Sequence, residues 1–593
     1  MIVAMKKITL FCLESDRDQT LDALRSLGAV HVAPVQPPAG KNLDEALARQ
    51  TRAHRALEIL PDHDGKVRPP FRDTAEKAVD HIWSLFHRKE LLAERTEMLE
   101  DEERDLEPFG DFSPGAISAL ADRGIPVSLY IAPPKTELRA PEGALLRVIR
   151  RTKRLVSFAV VGAHEAQRAW EQVRLPARSL SEVRAERSKL AAEAAEIETE
   201  LDHLKAARTM VEELALKTGE EVEFLKVRTG MGGAKKIAFL QGYCPERLCA
   251  RVSGEAAARG WGLLIEDPAA GDDVPTLVEN PAWIRPIGAL FKLINLLPGY
   301  AEADASWTFL LFFSLFFAML VGDLGYGIIY LLLTILMRRK MPKAPPEPFR
   351  LLYILSACTM AWGLLTGSCF GVGFASLPGP FTAIRAWLAQ DENMMRLCFL
   401  IGAVHLTIAH AWNILRSLNS TIALAQAGWI LSTWTMYFMA RNMILGDSLP
   451  GWVLHAFVAG IALIVLFMTP VRRFKSEWYN HVMLPLNLVS NFVDVVSYVR
   501  LYAVGIAGLA VAQSFNATAG GLGPLGLGTG LAGALILFFG HGLNIILSVM
   551  SVLVHGVRLN TLEFSGHLGV QWTGRPYDPF ARKTVADGAA AAT

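Results

Sequence analysis

No two of the six cysteines (Cys12, Cys244, Cys249, Cys358, Cys369 and Cys398) stand in CxxC spacing. Zinc clusters and disulfide frameworks are therefore not expected, and three of the six fall in apolar segments. No metal or cofactor follows from this inventory. A basic surplus is missing too: 59 Lys+Arg face 58 Asp+Glu, for a formal net charge of +1. Near neutrality argues against a nucleic-acid partner. The start, Met1-Ile-Val-Ala-Met-Lys-Lys-Ile, has too short an apolar run for a secretory signal, so the polar half is expected in the cytoplasm. A nucleotide loop is also absent. Thr229-Gly-Met-Gly-Gly-Ala-Lys-Lys236 lacks the GxxxxGK[ST] spacing and reads as a turn before a strand. The Gly-rich run from Gly520 to Gly530 has no lysine and reads as a connection between membrane helices.

What is present divides by charge. Charged residues are dense from Met1 to about Asp304, whereas between Ser306 and Met337 Asp323 is the only one. At 593 residues the chain exceeds a single core. The expected architecture is an α-helical membrane protein carrying a cytoplasmic α+β and coiled-coil arm. The arm takes 1–300, the transmembrane domain 301–570 and a cytoplasmic tail 571–593.

Within the arm, Lys6 to Leu13 reads as a strand, Asp16 to Leu27 as a helix and Ala29 to Ala33 as a strand. The order recurs at Lys236–Gln241, Glu246–Arg259 and Gly262–Glu266, and more weakly from Leu146 onward. These read as small ferredoxin-like lobes at about 1–70, 230–270 and 120–170. Between them, Leu85, Leu92, Leu99 and Leu106 recur every seven residues, as do Val183, Leu190, Ile197, Leu204 and Val211. The pattern predicts coiled-coil helices at about 76–107 and 178–225, folded as an antiparallel hairpin. Two amphipathic helices in a compact domain is the alternative.

About twenty apolar residues cross a bilayer. Eight candidate spans are visible, at about 306–321, 325–338, 351–371, 394–415, 421–441, 451–470, 482–517 and 526–564. The first two meet at Gly322-Asp-Leu-Gly-Tyr-Gly327 and could be one broken helix. Arg338, Arg339, Lys340 and Lys343 follow the second span, Arg416 the fourth, and Arg472, Arg473 and Lys475 the sixth. Placing these inside leaves both termini cytoplasmic, with Arg385, Arg396 and Arg441 as outer exceptions. The last two spans exceed a bilayer: the seventh alone would measure about 54 Å against about 30 Å of hydrocarbon.

Their polar residues form stripes. Asn487, Asn491, Asp494 and Tyr498 step by four, three and four, close to Ser497 and Arg500. His541, Asn544, Ser548, Ser551, His555 and Arg558 step by three, four, three, four and three. An arginine in hydrocarbon keeps its proton and costs about 2.5–17 kcal/mol unless it meets a charge or water. Two offset polar stripes that meet near Arg500 and Arg558 have the form of paired half-channels. The alternative is hydrogen bonding between packed helices, at about 0.6 kcal/mol each. Val493, Val496, Ala503, Val504, Ala507 and Val511 surround Arg500 with a small apolar surface suited to a partner that slides past.

Several segments together resemble the membrane stator subunit of V-type and A-type rotary ATPases, called subunit a in eukaryotes and subunit I in prokaryotes. Val274-Pro-Thr-Leu-Val-Glu-Asn-Pro281 is similar to the family's VPTLLENP segment. Gly322, Asp323, Gly325 and Gly327 match its GDxGxG signature, and Gly363-Leu-Leu-Thr-Gly-Ser-Cys-Phe-Gly371 its third span. Ser497-Tyr-Val-Arg-Leu501 matches the SYxRL core, and Leu240-Gln-Gly-Tyr-Cys-Pro-Glu246 the EGWVPE element.

The resemblance implies that Arg500 faces a rotating proteolipid ring of c or K type and that Arg558 is the second arginine of the last helix. Ser548 and Gly508 stand where eukaryotic members carry a glutamate and a histidine. It further implies peripheral stalks of E/G type, a central-stalk subunit of C or d type, an A/B catalytic head, and a bacterial or archaeal cell membrane. The chain would not be an enzyme by itself. It would move H+ or Na+ while the head handles ATP. A self-sufficient secondary transporter is the rival, and it should show an inverted repeat with a midplane site.

Overall fold

Each β-α-β segment offers two strands and one helix, too little to cover a sheet face alone. In the computed structural model they combine. Strands His31–Ala33, Ile237–Pro245, Met5–Leu13 and Gly262–Glu266 lie in that order in one sheet, with Gly232–Ala234 paired to Ile237–Pro245. The segments expected as separate lobes at 1–70 and 230–270 thus share a sheet. The structure describes residues 1–61, 73–164, 170–342, 344–374, 380–470, 474–523 and 526–582. Lys343, Arg472, Arg473, part of the Gly-rich run and the expected tail beyond residue 582 lie outside these.

The chain divides into two compact units. One comprises Met1–Ile8, Gly242–Ala257 and Leu263–Pro579; the other comprises Thr9–Gln241, Ala258–Gly262 and the residues from Phe580 on. The sequence reading placed the change near residue 300.

In the second unit, helix Ala75–Leu106 packs against Leu180–Leu204. Leu85, Leu99, Leu106, Val183, Ile197, Leu204 and Val211 are buried, and Leu92 and Leu190 are half-buried. Ion pairs fix the direction: His81 meets Glu200 at 3.0 Å, Arg95 meets Glu186 at 3.0 Å, and Arg184 meets Glu103 at 2.7 Å. Numbers rise on one helix as they fall on the other, so the pair is antiparallel.

The helix expected over 178–225 is interrupted by a tight turn at Lys205–Ala207 and resumes as Arg208–Gly230. That second piece packs against Lys41–Ile59. Leu43, Ala46, Ala53 and Ala56 form the buried stripe of Lys41–Ile59. Alanine carries so little apolar signal that sequence periodicity passes over this helix. A four-stranded antiparallel sheet orders Leu145–Arg151, Val156–Val161, Val127–Ala132 and Glu171–Val173 over a core of Tyr130, Phe158 and Trp170.

In the first unit, helices occupy the apolar stretches: Ser306–Val321, Leu324–Lys340, Pro346–Thr366, Asp391–Arg416, Ile422–Leu445, Trp452–Phe467, Tyr479–Gly520 and Leu527–Leu568. Among the described residues, four of them are long and apolar enough to cross a membrane: Pro346–Thr366, Asp391–Arg416, Tyr479–Gly520 and Leu527–Leu568. Ser306–Val321 and Trp452–Phe467 are shorter apolar helices. The last two reach 42 residues each, about 63 Å of helix. The helix Tyr479–Ser497 passes through Tyr498 into Val499–Gly520.

Candidate functional site

The GDxGxG segment is a helix junction. Gly322 closes Ser306–Val321 in the left-handed region at φ +66°, where a side chain would be strained. Asp323 then caps Leu324–Lys340. Its carboxylate accepts from the backbone N–H groups of Gly325 (2.8 Å), Tyr326 (3.2 Å), Phe370 (2.8 Å) and Gly371 (2.9 Å), and from the Ser368 hydroxyl (2.7 Å). The tight hairpin Ser368–Gly373 is thereby held against the start of that helix. Gly363 lets Pro346–Thr366 pass so close that an added Cβ would lie 2.2 Å from the Leu324 nitrogen. Gly325 and Gly327 likewise face Phe370 and Met360 at contact distance. This motif builds structure.

Arg500 and Arg558 come together on a third residue. Arg500 Nη1 donates to Glu563 Oε1 at 3.3 Å, and Arg558 Nε lies 3.6 Å from the same oxygen. Glu563 is 4% exposed, while the Arg500 side chain is 29% exposed. Two π-helical segments, Val552–Gly556 and Leu559–Phe564, interrupt the last helix around Arg558. Their five-residue hydrogen-bond repeat suits the pairing of Arg558 with Glu563, five positions on. Ordinary helical spacing would direct attention to i+3 and i+4, so sequence periodicity does not single out Glu563.

The first stripe divides in three dimensions. Asn487, Asn491 and Asp494 line a cavity of about 350 Å³ together with His410, Gln426, Trp429, Glu563 and His567. Asn491 is also tied to Ser432 and Thr433 at 3.1 and 3.2 Å. Ser497 bonds the Asp494 carbonyl at 2.7 Å. Tyr498 departs from the stripe: it is fully buried against Phe316 and hydrogen-bonds His405 at 2.8 Å. The helix bends its register at Tyr498, which turns that ring into the core and leaves Arg500 outward.

The second stripe forms a separate cluster. Tyr326 Oη lies 2.8 Å from His541 Nδ1 and accepts from Asn544 at 2.9 Å. His541 Nε2 lies 3.0 Å from Asn516, and Asn544 also donates to the Gly508 carbonyl at 2.9 Å. Ser548 is buried, and Ser551 and His555 are half-buried. The sequence reading missed Glu563, His567, His410, Gln426, Tyr326 and Asn516. They lie on other helices or off the regular helical spacing, and only packing brings them in.

At the Gly446–Pro450 turn, outside the helices, Asp447 meets Arg396 at 2.7 Å and Arg441 at 2.7 Å. The Arg396 hydrogen bond, helped by Arg441, holds its carboxyl down at about 2.

No protein-family model matches the chain. Among curated proteins, V-type ATP synthase subunit I 1 of Treponema pallidum is 32% identical, covering 98% of this chain and 100% of its own. V-type ATP synthase subunit I of Borreliella burgdorferi is 28% identical over the same shares. A-type ATP synthase subunit I of Methanocaldococcus jannaschii is 24% identical, over 66% of this chain and 63% of its own. A solved structure, the cytoplasmic N-terminal domain of subunit I, homolog of subunit a, of V-ATPase, matches 44% of this chain and 99% of its own. Its identity is 18% and its TM-score 0.23. Similarity to the Treponema protein over nearly the whole of both chains is decisive: this protein belongs to the V-type and A-type ATP synthase subunit I family.

Proposed function

We propose that the chain is the non-catalytic membrane stator of a rotary ATPase, forming two ion half-channels against a rotating proteolipid ring. Arg500 carries this reading. It is a permanent cation, 29% exposed, on a helix whose neighbouring Ala503, Ile506, Ala507 and Ala510 are exposed and apolar. A ring carboxylate crossing that surface would be drawn into its ionised form and made to release its ion before moving on. The guanidinium would also repel cations leaking straight between the two paths. Glu563 neutralises part of the Arg500–Arg558 pair and leaves one net positive charge.

The cavity at Asn487, Asn491 and Asp494 suits access from the cytoplasm. The cluster at His541 and Asn544, with Ser548, Ser551 and His555 beyond it, suits the outer path. H+ or Na+ moving through would exchange about 2.3 kcal/mol per charge per 100 mV with ATP hydrolysis or synthesis. The partners are the c- or K-type ring, E/G-type peripheral stalks on the coiled-coil arm, a C- or d-type central-stalk subunit and, through these, the A/B head. The chain would sit in a bacterial or archaeal cell membrane with both termini in the cytoplasm.

The test is Arg500→Ala and Arg500→Lys in the assembled complex, reconstituted in vesicles. ATP-driven ion uptake should vanish while the ring still co-purifies. Arg558→Ala should impair uptake less, since its side chain is half exposed at a greater distance from Glu563. Normal uptake by Arg500→Ala would refute the assignment.

A further inference from the structure

The apolar helices carry at one end a basic collar that the proposed ion path does not use. Gly363, near the end of Pro346–Thr366, lies against Asp323 and Leu324 at the first helix junction. Ser306, Lys340 and Pro346 therefore all stand at the opposite end. There Phe291, on the short helix Ile287–Leu293, meets Phe309 edge to face at 4.9 Å. The short helix also packs against Pro346–Thr366, which is long and apolar enough to cross a membrane. The collar thus sits where a membrane-crossing helix begins.

Its two faces differ. Ile284, Ile287, Leu290 and Phe291 are buried. Trp283 is 65% exposed and Leu293 75% exposed, with Arg285 and Lys292 exposed beside them. Arg339 and Lys340 at the end of Leu324–Lys340, and Arg350 early in Pro346–Thr366, add three exposed cations. None of these five has an ion pair among the described residues. Nearby acids are engaged elsewhere: Glu302 accepts from Gly299, Gln571 and Trp572, and Asp304 accepts from Ser306. Glu347, half-buried, offsets only one of the five.

The geometry points to a docking surface for anionic phospholipid headgroups. Arg285, Lys292, Arg339, Lys340 and Arg350 meet the phosphates, while Trp283 and Leu293 enter the boundary between headgroups and acyl chains.

Water is a poor neighbour for an exposed indole and leucine, and hydrocarbon is a poor one for five cations. A lipid surface suits both. Tryptophan collects at membrane interfaces, and segments that combine basic with apolar side chains lie in that layer. Basic clusters beside a membrane helix draw anionic lipid, an attraction that fades within a Debye length. The cations come from three separate elements whose common level is set by the membrane-crossing helix, so a planar charged layer reaches all of them. Arg500 and its surface have no part in this. The docking stands whether or not the chain is a stator.

The experiment reconstitutes the full chain in phosphatidylcholine vesicles and measures tryptophan quenching by brominated lipid. Brominated phosphatidylglycerol is compared with brominated phosphatidylcholine, and subtracting Trp283→Phe isolates the signal of that ring. Trp283 should be quenched by both, with phosphatidylglycerol preferred about threefold or more. Arg285→Gln combined with Lys292→Gln should cut that preference to about half or less. Arg285→Lys combined with Lys292→Arg should keep it, and high salt should remove it from wild type. Quenching by neither lipid overturns the proposal, because the face then meets water or protein. Equal quenching by the two lipids overturns it as well. So does competition by inorganic phosphate at fixed ionic strength, which would assign the cations to free phosphate. If the glutamine variant does not fold, wild type decides, and a preference indifferent to salt overturns the docking.

Discussion

Asp323 sits beneath five hydrogen-bond donors, which fill its lone pairs and leave nothing for a passing ion. Its charge in an apolar stretch is explained by the helix start and hairpin that it holds. Asp323→Ala should lower stability by about 3–5 kcal/mol, because several buried N–H groups lose their acceptor at once. Thermal unfolding of the purified protein in detergent would measure this, and a shift of only a degree or two would count against the structural role of Asp323. Glu563 is the opposite case. It has two cations and few other partners, and its Oε2 has no hydrogen bond among the described residues. The sequence places it five residues after Arg558, a separation that becomes a contact only through the π-helical segment.

Among elements, the coiled coil is the one best read from sequence, since a seven-residue leucine repeat specifies its seam directly. Leu99 is fully buried there, and Leu99→Ala should cost about 2–5 kcal/mol in the unfolding of this unit. A loss under about 1 kcal/mol would mean the seam is loosely packed at that level. The Gly446–Pro450 turn joins two long helices through Asp447, Arg396 and Arg441. The Asp447 carboxyl is held at about 2, below its ordinary value near 4. A depressed carboxyl contributes stability that is complete above the unfolded value and lost as pH falls through the folded one. The wild type should therefore keep this clamp down to about pH 4 and lose it toward about pH 2. Asp447→Asn should melt lower at neutral pH and converge with wild type in acid. Parallel curves across that range would count against the clamp.

As a whole molecule, a stator of the proposed kind would act only on a carboxylate carried by another subunit. Purified alone and placed in vesicles, it should carry no ion flux under either a pH or a voltage gradient. Co-isolation of a small hydrophobic proteolipid from the native membrane should accompany the active form. Flux through the lone chain would favour a self-sufficient transporter. The sequence by itself determined the charge division, the coiled-coil seam, the apolar helices and the place of Arg500 within one of them, because each is written in spacing along one strand of chain. Tertiary structure alone decided the interleaving of the two β-α-β segments, the inward turn of Tyr498, and the meeting of His410, His567, Asp494 and Glu563. Those relations join residues far apart in order, and no local periodicity can encode which distant face a side chain will find.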